Sequence, residues 1–307
     1  MRSVNESFGL LEKVKISLIK LLARLLAFLP LSTLQLLGSL LGELLWYKKS
    51  ASVRVTIKNI QLCFPNLSAS EQQALAKRSI KDTGQTLLEV SKAWLAPMPT
   101  VLSYITKVTE GLDVDAALAR GKGIVLVAPH LGNWEILGHY LADRFQFNAL
   151  YQPPKAAALE EFVVASRRRV GTRLHATDRR GILGLFKALR DAEVVGVLPD
   201  MEPPEEAAIP APFYGIEALS MTLVSKLVQK TGATVVFAYA KRLPSSKGFE
   251  VVMIPAPEAM YSDDLAVSVA ALNRGVEACV EGAVEQYQWE YKRFKHQTAG
   301  KTHYYKF

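Results

Sequence analysis

The stretch IVLVAPHLGNWEILGHY, residues 124–140, decides how this chain is read. It opens on an unbroken apolar β-type run, the pattern of a strand buried on both faces. Pro129 ends the run, Gly132 supplies a turn, and helical spacing resumes near Asn133. The segment is therefore expected to fold as strand, turn and helix. In open α/β sheets ligands are handled beyond the carboxyl ends of strands, and His130 stands just past one.

Similar runs recur on either side of a helical texture: IVLVA (124–128), FNALY (147–151), VVGVL (194–198), TVVFAYA (234–240) and FEVVMI (249–254). That alternation predicts an α/β core over residues 121–307, a central mixed sheet flanked by helices, ending in a basic tail. Residues 50–120 read as a polar-faced helical linker region. An N-cap at Ser68 or Ser70 is expected in NLSASEQQALAKRSI, where Glu71 follows Ser68 at capping-box spacing. No internal repeat or low-complexity linker is visible.

Residues 16–47, ISLIKLLARLLAFLPLSTLQLLGSLLGELLWY, are dominated by leucine but interrupted by Lys20, Arg24, Pro30 and Glu43. A clean spanning helix needs roughly 20 apolar residues. The stretch fits one kinked span with snorkelling cations, or two interfacial helices broken at Pro30. A buried helical hairpin is a third possibility. Over residues 1–60, Lys or Arg stands at positions 2, 13, 15, 20, 24, 48, 49, 54 and 58, against Glu6, Glu12 and Glu43. Basic flanks on a greasy segment suit an anionic cytoplasmic leaflet. No small-residue cleavage site follows, so residues 1–49 are expected to remain as a membrane anchor.

Half the residues are hydrophobic and the mean hydropathy is +0.12. The net charge of +8 admits anionic lipid, a phosphorylated substrate or an acidic carrier protein as partner. No nucleic-acid-binding signature occurs, and nucleic acid is not expected. Cys63 and Cys279 lie far apart, which excludes a disulfide framework, and neither looks catalytic.

His130 and Glu135 are the residues with chemical promise. On one continuous helix their offset, roughly 140°, would aim them apart. Contact requires His130 in the turn and Glu135 in the first helical turn, where a carboxylate also suits the helix dipole. A carboxylate holding one ring nitrogen would leave the other to accept a proton from an attacking hydroxyl. A purely structural His–Glu pair is the alternative. His139, four residues beyond Glu135, could form a metal pair with it, but no third ligand is evident, and no metal is expected.

HLGNWE (130–135), SRRRVG (166–171), LPD (198–200), PFYG (212–215) and QYQWEYKRFK (286–295) together resemble the lipid A secondary acyltransferases of Gram-negative bacteria. The resemblance spans most of the chain and implies a glycerolipid-acyltransferase-like fold. It implies a catalytic role for His130 and Glu135, an arginine near the reaction centre at Arg167, with Arg169 as second choice, and an aspartate at Asp200. Substrate contacts are implied at Asn133, Arg168, Arg169, Phe213 and Tyr214. The chain departs from the family after Asp200, where Met201 and EPPEEAAIPAP (202–212) follow.

The resemblance further implies transfer of a fatty acyl group from acyl-acyl carrier protein to a hydroxyl of a lipid A precursor. The expected setting is the cytoplasmic face of the bacterial inner membrane, in contact with its lipids and without a cofactor. Alternatives are a related acyltransferase acting on another glycolipid or lysophospholipid, a non-catalytic membrane protein that binds acyl carrier protein, or a metal hydrolase. Arg167, Arg168, Arg169, Arg173, Arg179 and Arg180 would suit phosphate or carrier recognition, or form a solvated face. Lys292, Arg293, Lys295, Lys301 and Lys306 would add membrane adhesion, with Trp289, Tyr291 and Phe294 either interfacial or packed in the core.

Overall fold

The leucine-rich N-terminus is two helices, α1 (Arg2–Phe28) and α2 (Leu31–Tyr47). They part at Pro30, which has no N–H to donate and fits a helix only at its start. They belong to a computed structural model that describes residues 2–153, 157–296 and 303–307; Lys301 of the basic tail lies outside the described residues. Among the described residues no helix is long and apolar enough to cross a membrane. The spanning-helix expectation is therefore dropped: Lys20 and Arg24 interrupt the run and Pro30 divides it.

Two more helices follow, α3 (Ala51–Cys63) and α4 (Ala69–Leu95). The capping box forms at Ser68: its hydroxyl accepts from Glu71 N at 3.3 Å and its N–H donates to the Glu71 carboxylate at 2.8 Å. Helix α2 lies against α4. Small residues allow the close approach. A Cβ on Gly42 would stand 2.5 Å from Lys81 Cα, and one on Gly84 would collide with the Gly38 carbonyl. Glu43, which breaks the apolar run, pairs with Lys77 (3.1 Å) and Lys81 (2.9 Å) of α4. Leu34 is fully buried, while Leu36, Leu40 and Leu44 on α2 and Leu18, Leu22 and Leu25 on α1 are exposed.

Gly84→Val should therefore force these helices apart. Overpacking typically costs about 1–3 kcal/mol, and a thermal melt should move down by several degrees. An unchanged melting temperature would mean that the α2–α4 contact contributes little.

The remaining elements are α5 (Met98–Leu102), β1 (Ile105–Glu110), α6 (Val114–Ala119), β2 (Ile124–Val127), α7 (Trp134–Arg144), β3 (Phe147–Tyr151) and α8 (Ala157–Arg168). Then come β4 (Arg173–Ala176), α9 (Arg179–Arg190), β5 (Val194–Val197), β6 (Ala208–Phe213) and β7 (Ile216–Met221). The chain continues through α10 (Leu223–Thr231), β8 (Thr234–Arg242), β9 (Phe249–Pro255) and α11 (Leu265–Glu281).

The main sheet has the order β1-β9-β8-β2-β5-β3-β4. Only the β8–β9 pairing is antiparallel, so the sheet is mixed, as expected. Strand β2 is central and buried on both faces. Val125 and Val127 pack in one layer with residues of α9, α10 and α11, and Ile124 and Leu126 in the other with residues of α6 and α7. The β6–β7 hairpin turns at Tyr214 (φ 49°) and Gly215 (φ 74°). Positive φ at both central residues matches the twist of a two-residue hairpin.

Candidate active site

Hydrogen bonds from several directions hold the turn after β2. Ala128 N donates to Val197 O (3.0 Å), Gly132 N to Gln286 O (3.0 Å), Asn133 N to Ala240 O (2.9 Å) and Gln288 N to His130 O (3.0 Å). Gly132 has φ +61°, and a side chain there would run into the Ala240 carbonyl, so glycine is required on both counts. Helix α7 then starts at Trp134, capped by Asn133 Oδ1, which accepts from Ile136 N at 3.2 Å. His130 sits in the turn and Glu135 in the first helical turn, the placement that the sequence requires.

The carboxylate on His130 is nevertheless Asp200. One Asp200 oxygen lies 2.7 Å from His130 Nδ1, and the other accepts from His130 N at 2.7 Å. Asp200 follows β5, the neighbour of β2, so sheet order brings it to the turn. Burial alone would raise its pKa, but the charge and hydrogen bonds of His130 outweigh that and hold the carboxyl below its ordinary value. With Nδ1 engaged, Nε2 is the nitrogen left to accept a proton. The Trp134 ring meets the imidazole edge-on at 5.1 Å.

Glu135 is gripped by Arg167. Nη2 donates to Oε1 at 2.6 Å and Nε to Oε2 at 3.2 Å, a two-pronged pair. The orienting role expected of Glu135 toward His130 thus passes to Asp200, because the first turn of α7 aims the Glu135 carboxylate at the end of α8. Burial works against the Arg167 charge, yet the Glu135 charge and hydrogen bond raise its pKa overall.

His130, Glu135 and Arg167 line a cavity of about 840 Å³. Much of its wall is apolar, including Leu126, Leu137, Phe147, Leu150 and Val163. Such a volume lies within the range of small-molecule sites. Met201, Glu202, Pro203, Pro204 and Glu206, from the segment that departs from the family pattern, also line it. Trp94 and Trp134 are wall residues that the sequence reading did not single out. For Trp134 the signal was present, since it lies inside the HLGNWE motif.

The structure gives other expected residues capping or packing contacts. Asn133 is fully buried, its Oδ1 caps α7 and its Nδ2 donates to Glu89 (3.1 Å), so it holds the turn. Phe213 is 1% exposed and packs among Tyr214, Tyr287 and Phe294. Tyr214 occupies the hairpin turn, packed against Phe64 and Trp289. None of these three lines the cavity with His130. Of the three successive arginines, Arg167 reaches the centre, Arg169 donates to Trp94 O (3.1 Å), and Arg168 is exposed.

In the tail, Trp289, Arg293 and Phe294 are buried, and Arg293 Nη1 donates to Leu219 O at 2.7 Å. They belong to the core and are not available to lipid. His139 Nδ1 lies 2.8 Å from Glu135 O, and burial first of all lowers its pKa. Among the described residues no three His, Cys, Asp or Glu side chains form a group that could hold a metal. Cys63 and Cys279 are free and buried, and burial pushes both thiol pKa values up.

The profile of the bacterial lipid A biosynthesis acyltransferases matches residues 2–296. The chain is 27% identical over 273 residues to the lipid A biosynthesis lauroyltransferase of Escherichia coli K12, covering 89% of this chain and 88% of that one. It is 26% identical over 279 residues to the lipid A biosynthesis palmitoleoyltransferase of the same strain, covering 90% of each. A phosphatidylinositol mannoside acyltransferase of Mycobacterium tuberculosis is 28% identical over 175 residues, 55% of this chain and 54% of that one.

Proposed function

Because the chain belongs to the bacterial lipid A biosynthesis acyltransferase family, we propose that it transfers a fatty acyl group from acyl-acyl carrier protein to a hydroxyl of a lipid A precursor. The observation that carries this reading is His130, clamped through Nδ1 by buried Asp200, on the wall of an extensively apolar cavity. His130 Nε2 takes the acceptor hydroxyl proton while the oxygen attacks the thioester carbonyl. The tetrahedral intermediate collapses, its C–S bond breaks, and the thiolate leaves as a thiol with the proton from His130. Arg167 stabilises the negative charge that develops on the carbonyl oxygen, and Glu135 holds Arg167 in place. The apolar cavity takes the acyl chain. A thioester is already activated, so the scheme needs no cofactor.

Purified enzyme given acyl-acyl carrier protein and a precursor with a free hydroxyl should release thiol and add one acyl mass to the lipid. Thiol release without lipid acylation would contradict transfer. A second acceptor class, another glycolipid, is favoured by the partial match to the phosphatidylinositol mannoside acyltransferase and by the departing Met201–Glu206 segment on the cavity wall.

The same proposal has α1 and α2 lying on the cytoplasmic face of the inner membrane. The exposed leucines of both helices and the basic excess of residues 1–60 support it. Fully burying a leucine contributes about 1.5–3 kcal/mol. Changing Leu18, Leu22 and Leu25 together to serine should therefore lower co-sedimentation with anionic phospholipid vesicles by at least about tenfold. Undiminished binding would rule out this face as the membrane contact.

A further inference from the structure

Behind the turn that carries His130 lies a buried charged cluster to which the transfer scheme assigns no role. Arg242, at the end of β8, is 5% exposed and Glu89 on α4 is 0% exposed. Arg242 Nε and Nη2 donate to the two Glu89 carboxylate oxygens, each at 2.7 Å. Thr86 and Asp82, one and two turns earlier on α4, also accept from the guanidinium. Gln35 of α2 donates to Glu89 at 2.8 Å.

Both members of this pair reach the turn. Asn133 Nδ2 donates to Glu89 Oε2 at 3.1 Å, while Asn133 Oδ1 caps α7. Arg242 N donates to Gln286 Oε1 at 2.8 Å, Gln286 Nε2 returns a bond to Arg242 O at 3.0 Å, and Gln286 O accepts from Gly132 N. Residues on either side of the bend between His130 and α7 are thus tied to one ion pair.

Stability alone does not account for such a pair. Removing two charges from water is expensive, and apolar residues of similar volume often serve the fold as well. What apolar residues could not supply is a directional acceptor for Asn133. Catalysis is sensitive to placement at this scale: a shift of about 1 Å can lower a rate by roughly 10²-fold.

We propose that Glu89 and Arg242 are positioning residues for acyl transfer, holding through Asn133 the turn that aims His130. The proposal rests on His130 acting as the base.

The test uses the full chain with acyl-acyl carrier protein and lipid acceptor. Asn133→Ser keeps a good N-cap but removes the amide donor to Glu89; Glu89→Gln keeps the shape and removes the charge. Each should lower kcat at least about tenfold, with KM for either substrate within about twofold. The melting temperature of Asn133→Ser should stay near wild type. Because Glu89 acts through Asn133, the double variant should be no slower than the slower single variant. Multiplied losses in the double variant, a change in KM alone, or wild-type kcat in Asn133→Ser would each overturn the proposal. Should Glu89→Gln fail to fold, Asn133→Ser decides the matter alone through kcat per folded molecule. His130→Ala separates the two readings. If it is active, the base assignment fails; if it is dead while Asn133→Ser turns over normally, only the positioning proposal fails.

Discussion

His130→Ala should slow acyl transfer by about 10²- to 10⁴-fold, since that is what a positioned general base typically contributes. The lower bound corresponds to about 2.7 kcal/mol of activation free energy. The imidazole lies at the cavity wall, so its removal takes little from the packed core, but it leaves the buried Asp200 carboxylate without its ring partner. The variant should therefore melt below the parent at neutral pH, bind vesicles as the parent does, and show its rate loss per folded molecule. His139→Ala should be mild by comparison: the side chain is buried and bonded within its own helix to Glu135 O, and no step of the scheme passes through it. Steady-state rates with both substrates, set against thermal melts, check both statements.

Asp200→Asn should be the next most damaging change. The amide keeps the shape but can no longer serve as an anionic acceptor for both His130 N and Nδ1–H, so the imidazole loses the partner that fixes its tautomer and aim. A loss of at least about 10²-fold in kcat is expected, with KM little changed. The same contact has a signature in stability. The folded-state pKa of Asp200 is lowered, so its contribution is present above the ordinary carboxylate value of about 3.9 and is lost as the pH falls through the folded value. Wild type should therefore lose stability more steeply than Asp200→Asn below about pH 4. Parallel acid-unfolding curves would mean that the contact contributes nothing to the fold.

What the sequence made legible follows from physics that acts locally. The five strand runs read in the sequence, from 124–128 through 249–254, are dominated by apolar residues and correspond to β2, β3, β5, β8 and β9. The edge strands hid for the opposite reason. ITKVTE of β1 is mostly exposed, RLHA of β4 is half polar with no fully buried position, and β6 carries Pro210 and Pro212, which argue against a strand until the hairpin is seen. Pro30 and Ser68 marked helix boundaries because caps and breaks are written within a few residues.

The partner of His130 was beyond local reasoning. Glu135 is close along the chain, but the β2–β5 pairing brings Asp200, separated by 70 positions, against the ring. Likewise Glu89 and Arg242 stand 153 positions apart, and neither residue type in its own segment hints at the other. Asn133, read as a substrate contact from its place in the motif, proves to be a helix cap, since its burial depends on α4 closing over the turn.

The central claim is that this chain acylates a lipid hydroxyl with His130 as the base. Its most direct test is mass spectrometry of lipid A from cells lacking the protein, re-expressing wild type, or re-expressing His130→Ala at equal level. Wild type should restore one fatty acyl increment, and the variant should leave the lipid at the mass found in its absence. The increment returning with His130→Ala, or failing to return with wild type, would contradict the account.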